Sequence, residues 1–190
     1  GIGIGVAFNE RFGWSMDTAD FNGDGVDDVV IGSPRDDFGC VGSNCGNAYV
    51  YMGPFDVSRF FTEADATMVG AREDAALGDH VRAVPDLDGD GAPDLLIATD
   101  QGWSETVNPG DGAVLLVSSA DFIPAMVETY AFSKLVGDAT WSRFGYAMET
   151  VGDVDGDGST DLLVSAYETA TTGDNAGAVY GVLGPFEAGV

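Results

Sequence analysis

The chain has 190 residues, 45% of them apolar, and its 32 acidic against 7 basic side chains leave a formal net charge of -25. That balance speaks against a nucleic-acid partner, whose phosphates need clustered Lys and Arg, and against anionic membrane surfaces. No apolar run approaches the roughly 20 residues of a spanning helix, so membrane insertion is not expected, and 28 glycines, about twice ordinary usage, favour a turn-dense β protein over disorder.

In chain order, short runs rich in Val, Ile, Leu and Tyr stand between Gly, Pro and Asp clusters, the pattern of strands. The first four fall at 2–5, 14–19, 28–32 and 48–52. Between the second and third lies an acidic turn carrying Asp20, Asn22, Asp24, Gly25, Val26 and Asp28. It recurs as Asp86, Asp88, Asp90, Gly91, Ala92 and Asp94, and again as Asp153, Asp155, Asp157, Gly158, Ser159 and Asp161, with starts 66 and then 67 residues apart. Oxygen side chains hold positions 1, 3, 5 and 9 of each turn and glycine holds position 6. Calcium takes six to eight oxygens in a flexible shell, and a ligand on every second residue wraps those oxygens around one point. The glycine permits the sharp turn that brings the carbonyl of position 7 (Val26, Ala92, Ser159) to the same centre. Position 12 is Ile31, Ile97 and Val164 rather than glutamate, so these are not EF-hands. About three calcium ions per chain are expected, in a structural role, because a catalytic ion needs an open position and a base nearby, whereas each loop supplies about five ligands and every unit carries the same one. The remaining acid reads as a solvated, self-repelling surface.

More than the turns repeats. Gly5, Gly70 and Gly137 each stand eight residues before a second glycine, Gly13, Gly78 or Gly145, which follows Phe12, Leu77 or Phe144. Each acidic turn feeds an apolar run, as at Val29, Val30 and Ile31, and the continuity of these runs predicts strands buried on both faces. A small residue then opens a further strand at Ala48, Ala113 and Ala178, and Gly53-Pro54-Phe55 recurs as Gly184-Pro185-Phe186. Cys40 and Cys45 lie between these strands in a glycine-flanked loop, which fits a local disulfide and an oxidising compartment, with free thiols as the alternative. Helical pattern is confined to 56–63 and 121–128. The repeating units are 1–56, 57–121 and 122–190. Four-strand repeats of this kind predict an all-β fold of three four-stranded propeller blades, forming an open arc or part of a larger or oligomer-completed β-propeller. With neither an initiating Met nor a secretory leader, the sequence reads as a mature or excised segment.

These residues resemble the FG-GAP repeats of integrin α-subunit propellers and their bacterial relatives. Phe12-Gly13 and Phe144-Gly145 carry the Phe-Gly element, with Leu77-Gly78 a departure, and the aspartate turns carry the calcium phrase. Gly32-Ser33-Pro34 matches the Gly-Ala-Pro element loosely, and units two and three lack it. The resemblance implies a β-propeller with structural calcium in its loops, in a secreted or cell-surface protein that binds a partner.

Catalytic constellations are thin. His80, the only histidine, reads as a strand residue at a blade surface, and no nucleophile elbow surrounds a serine. Trp14, which matches Tyr146 of the third unit, reads as a blade core position. Trp103 has no counterpart in the other units and is the candidate ligand platform. The expected function is a non-enzymatic, calcium-stabilised binding or adhesion module for a protein or glycan ligand, presented on the variable stretches 34–47, 99–112 and 168–177. A carbohydrate-binding propeller and a self-assembling domain that pairs through exposed blade faces are the alternatives.

Overall fold

The computed structural model describes residues 3–4, 9–55, 59–60, 63–99, 111–122, 125–126, 131–137, 142–169 and 176–186. Among them the regular elements are strands, apart from 3-10 turns at Glu63 and at Ser119–Asp121. No helix among the described residues is long and apolar enough to cross a membrane. The first sheet holds β2 (Ser15–Ala19), β3 (Asp28–Ser33) and β4 (Asn47–Tyr51), paired antiparallel in that order. The second holds β7 (Val81–Val84), β8 (Asp94–Thr99) and β9 (Ala113–Val117), and the third β12 (Phe144–Gly152), β13 (Asp161–Ala166) and β14 (Ala178–Val182). In each, the acidic turn is the hairpin between the first two strands.

The fourth strand comes from the following unit. β6 (Ala66–Val69) pairs antiparallel with β4, and β11 (Ser133–Val136) pairs antiparallel with β9. Each of these two strands ends at the repeated glycine, Gly70 or Gly137, so each unit begins by closing its predecessor's sheet. The strand expected at 2–5 is the equivalent element of the first unit. It is not part of the first sheet: β1 (Gly3–Ile4) pairs in parallel with β5 (Arg59–Phe60) in a separate ribbon. Where helix is expected at 56–63, the described residues hold β5 and a 3-10 position at Glu63. The one expected at 121–128 holds instead the end of the 3-10 turn and β10 (Ala125–Met126), which adds to β6 in parallel. Neither segment keeps an apolar stripe long enough to stabilise a helix in isolation.

The strands form where β-branched and large aliphatic residues cluster, and stacking of the sheets buries them. Leu95 and Ile97 of β8 pack with Val30, Val50 and Met68 of the first sheet. Leu96 and Ala98 pack with Leu162, Val164 and Phe144 of the third. The middle sheet is thus covered on both faces, as the continuous apolar runs require, and each fully buried aliphatic side chain contributes about 1.5–3 kcal/mol. The outer face of the third sheet differs: Leu163, Val179 and Leu183 remain exposed. The three sheets form an open array.

The glycines before the last strand of each unit set the register. Gly46, Gly112 and Gly177 adopt φ of +77°, +75° and +73°, a left-handed conformation that favours glycine. Sheet pairing aligns Asn47 with Ala113 and Ala178, since their partners are Ser33, Thr99 and Ala166. Ala48 is therefore one residue out of the expected alignment with Ala113 and Ala178; the glycine, which this turn favours, marks the place.

A second link between units is polar. Four residues after the glycines Gly13, Gly78 and Gly145 stand Asp17, Arg82 and Glu149. The Arg82 guanidinium donates to both Glu149 oxygens, at 2.9 and 2.7 Å, and its Nε lies 3.7 Å from Asp17 Oδ2. Asp17 Oδ2 also accepts from the Ala83 amide at 3.0 Å. An acid, a base and an acid at one repeated position thus join the first strands of the three sheets.

Candidate metal centres

Each acidic turn is preorganised by its own carboxylates, which accept from backbone amides that otherwise lack partners. In the first, Asp20 takes the amides of Asp24 at 3.0 Å and Gly25 at 2.8 Å, and Asn22 Oδ1 takes that of Asp24 at 2.9 Å. In the second, Asp86 takes Gly89 at 2.6 Å and Gly91 at 2.8 Å, while Asp88 takes Asp90 at 3.0 Å. In the third, Asp153 takes Gly156 at 2.6 Å and Gly158 at 2.8 Å, and Asp155 takes Asp157 at 3.1 Å. The amides of Val26, Ala92 and Ser159 donate to Asp24, Asp90 and Asp157 at 2.8, 2.8 and 2.7 Å. The amide contacts from Gly158 and Gly156 hold the Asp153 carboxyl below its ordinary range.

The ninth residue of each turn is fully buried: Asp28, Asp94 and Asp161 show no exposed surface. One oxygen of each caps the turn, accepting from Phe21 at 2.9 Å, Leu87 at 2.6 Å and Val154 at 2.7 Å. The other oxygen separates the units. Asp28 Oδ1 accepts from the Gly53 amide and Asp161 Oδ1 from the Gly184 amide, both at 2.8 Å. This is where the repeated Gly-Pro-Phe acts, a role the sequence reading missed. In the second unit the 3-10 turn begins at that place, and Asp94 Oδ1 is buried with no hydrogen-bond partner among the described residues. Burial first, then the Asp88 and Asp90 charges, pushes the Asp94 carboxyl up to about 7. Asp28 is also raised by burial, opposed by its amide donors.

An unpartnered buried carboxylate oxygen beside other carboxylates fits a hard cation. Carboxylate oxygens of Asp86, Asp88 and Asp94 lie within 4.8 Å of one another, as do those of Asp153, Asp155 and Asp157. In the first turn Asn22 replaces one carboxylate, and its acids do not form such a group. Ser118 Oγ donates to Asp90 Oδ2 at 3.1 Å, a further polar group at the second turn that no repeat pattern signals.

Cys40 and Cys45 form a disulfide. His80 stands just before β7, half-buried, with Nδ1 3.2 Å from Asp79 Oδ2. Trp14 and Tyr146 are not core residues, being 54% and 50% exposed. They precede or open the first strand of their sheets, at the end away from the acidic turns. Trp103 lies outside the described residues.

These observations define a class: an all-β repeat protein of stacked antiparallel sheets, each with an aspartate-rich hairpin at one end. Residues 12–51 and 144–182 match the FG-GAP repeat family, so the chain carries FG-GAP repeats in these two stretches. It is 29% identical over 184 residues to integrin alpha pat-2 of Caenorhabditis elegans, covering 93% of this chain and 14% of that protein. To integrin alpha-PS2 of Drosophila melanogaster it is 32% identical over 159 residues, 81% of this chain and 10% of the relative. A phosphatidylinositol-glycan-specific phospholipase D of Dictyostelium discoideum is 27% identical over 162 residues, 82% of this chain and 17% of the relative. The chain thus spans less than a fifth of the length of these curated relatives.

Proposed function

We propose that the chain is a non-enzymatic, calcium-stabilised binding module of adhesion type, working outside the cell or at its surface. The observation that carries this reading is the same aspartate turn built into the first hairpin of all three sheets, which suits a scaffold better than a single reactive centre. Calcium would be held by Asp20, Asn22, Asp24 and Asp28, by Asp86, Asp88, Asp90 and Asp94, and by Asp153, Asp155, Asp157 and Asp161, with the carbonyls of Val26, Ala92 and Ser159. The ion supplies positive charge that offsets carboxylates crowded into a tight turn. The integrin names of the relatives support adhesion, and the Cys40–Cys45 disulfide supports an oxidising compartment. The modules are the units 1–56, 57–121 and 122–190, with recognition assigned to the stretches that differ between them, a protein or glycan being the ligand. Exposed Leu163, Val179 and Leu183 on the third sheet favour a second role, self-association through that face.

Chelation tests the calcium reading. Removing calcium with a chelator should lower the melting temperature by many degrees, and titrating it back should restore melting with about three ions bound per chain. Identical melting with and without chelator overturns the reading. Light scattering tests self-association, for which a dimer or larger species is expected.

A further inference from the structure

At the end of the sheets away from the acidic turns, a pocket of about 430 Å³ opens where all three units meet. It is built from equivalent positions. Two residues before the repeated glycines stand Arg11, Ala76 and Arg143, all left-handed with φ of +60°, +51° and +50°, and all three line the pocket. One residue after the glycines stand Trp14, Asp79 and Tyr146, which line it as well. The strained backbone at the first set is a feature that non-glycine residues keep at functional places.

The lining is unlike the rest of the molecule. Arg11, Arg35 and Arg143 all border the pocket, in a chain with 7 basic residues in total. Among the described residues, Arg11 and Arg35 have no carboxylate partner; Arg11 lies over the Trp14 ring at 4.7 Å. Arg143 Nε is 3.4 Å from Glu168 Oε1. Exposed rings gather here too: Tyr146 and Tyr167 stand 4.4 Å apart, centroid to centroid. Asp74 accepts from Asn44 at 2.9 Å with one oxygen. The Ser43 and Asn44 carbonyls accept from the Asp74 and Ala76 amides at 2.8 and 3.0 Å, so the disulfide-closed loop is fastened to the next unit's turn and the wall is preformed.

We propose that this pocket binds a sugar carrying one carboxylate, a uronate within an otherwise neutral saccharide. Planar guanidinium groups match a carboxylate, exposed Trp and Tyr rings offer stacking faces to the apolar side of a sugar ring, and Asp74, Asp79 and Asn44 supply acceptors for its hydroxyls. The volume falls within the range of small-ligand sites, roughly 300–1,000 Å³. Acceptor carboxylates in the lining disfavour an acidic peptide, which brings acids and few donors. The field of a chain at -25 opposes a polyanion. This inference deepens the binding role proposed above and rests on it, while the melting experiment tests calcium separately.

The test is calorimetric titration of the whole chain, saturated with calcium, with an aldobiouronic acid, one uronate linked to one neutral hexose. Saturable binding is expected, weakened about 10- to 100-fold by methyl esterification of the ligand, by Arg35→Ala or by Trp14→Ala, the scale of one charged hydrogen bond or stacking contact. Both side chains are exposed, so the variants should melt like the parent, which verifies folding; Arg11→Ala provides a third variant with the same expectation. Absence of saturable binding, equal binding of the ester, affinity indifferent to every variant, or tighter binding of a tetra-aspartate peptide would each overturn the proposal.

Discussion

Leu96 and Leu163 occupy the same place in successive sheets, each two residues after the buried aspartate that ends the acidic turn. They differ in what covers them. Leu96 is fully buried against Leu162 and Val164 of the next sheet, whereas Leu163 is 39% exposed. Leu96→Ala removes a fully buried side chain and leaves a cavity between two stacked sheets, at a cost of about 3–4 kcal/mol. Leu163→Ala loses only part of the transfer free energy, and solvent fills the space, so about 1 kcal/mol is expected. For a chain of this size each kcal/mol moves the melting point by roughly 2–4 °C, giving losses of about 10 °C and about 3 °C. Thermal and urea unfolding in saturating calcium measure both. Equal losses in a chain that scatters as a monomer would refute the stacking argument, because position in the repeat and residue type are held constant and only the neighbouring sheet changes.

Two contrasts extend the reasoning. Gly112→Ala drives a Cβ into the Phe144 carbonyl oxygen at a φ of +75°, whereas Gly91→Ala at +94° meets nothing within 4 Å. The first should prevent the third sheet from docking and cost more than ~3 kcal/mol, the second only the left-handed strain of about 1–2 kcal/mol, both read from denaturant unfolding. The second contrast concerns protons. Asp94 is pushed up to about 7, so below that pH the calcium-free fold keeps a proton there that the unfolded chain releases near the ordinary carboxylate value. The calcium-free chain should therefore lose stability as pH rises through about 7. Calcium must displace that proton, so calorimetry should find one of the binding steps weakened about tenfold on going from roughly pH 8 to roughly pH 6; pH-independent affinity at all steps would contradict it.

What could be read from the sequence was whatever chemistry fixes over a few residues. The spacing of the aspartates is such a feature, because alternate oxygens and a glycine must follow one another in the chain, and the acidic hairpins stand where the aspartates place them. Continuous apolar runs are another, since burial on two faces removes alternation. Strand exchange was not legible: whether β6 pairs with β1 or with β4 depends on residues far apart, and nothing inside Ala66–Val69 encodes its partner. Trp14 was misread for a related reason. An aromatic beside a structural glycine suits a core, and only the position of the neighbouring sheets leaves it at an open rim.

The repeated Gly-Pro-Phe shows how a difference between units carries information that their likeness hides. Its glycine amide satisfies the second oxygen of Asp28 and of Asp161, so the fold itself offsets part of the cost of burying those carboxylates. The second unit lacks the tripeptide, and Asp94 keeps an unpartnered oxygen at the turn whose acids gather at positions 1, 3 and 9. A buried carboxylate with one oxygen unpartnered is tolerated best when it is protonated or when a cation stands beside it. If the turns hold calcium as proposed, the middle hairpin, clamped between two other sheets, is therefore where the fold would depend most on its ion, although all three turns spell the same motif.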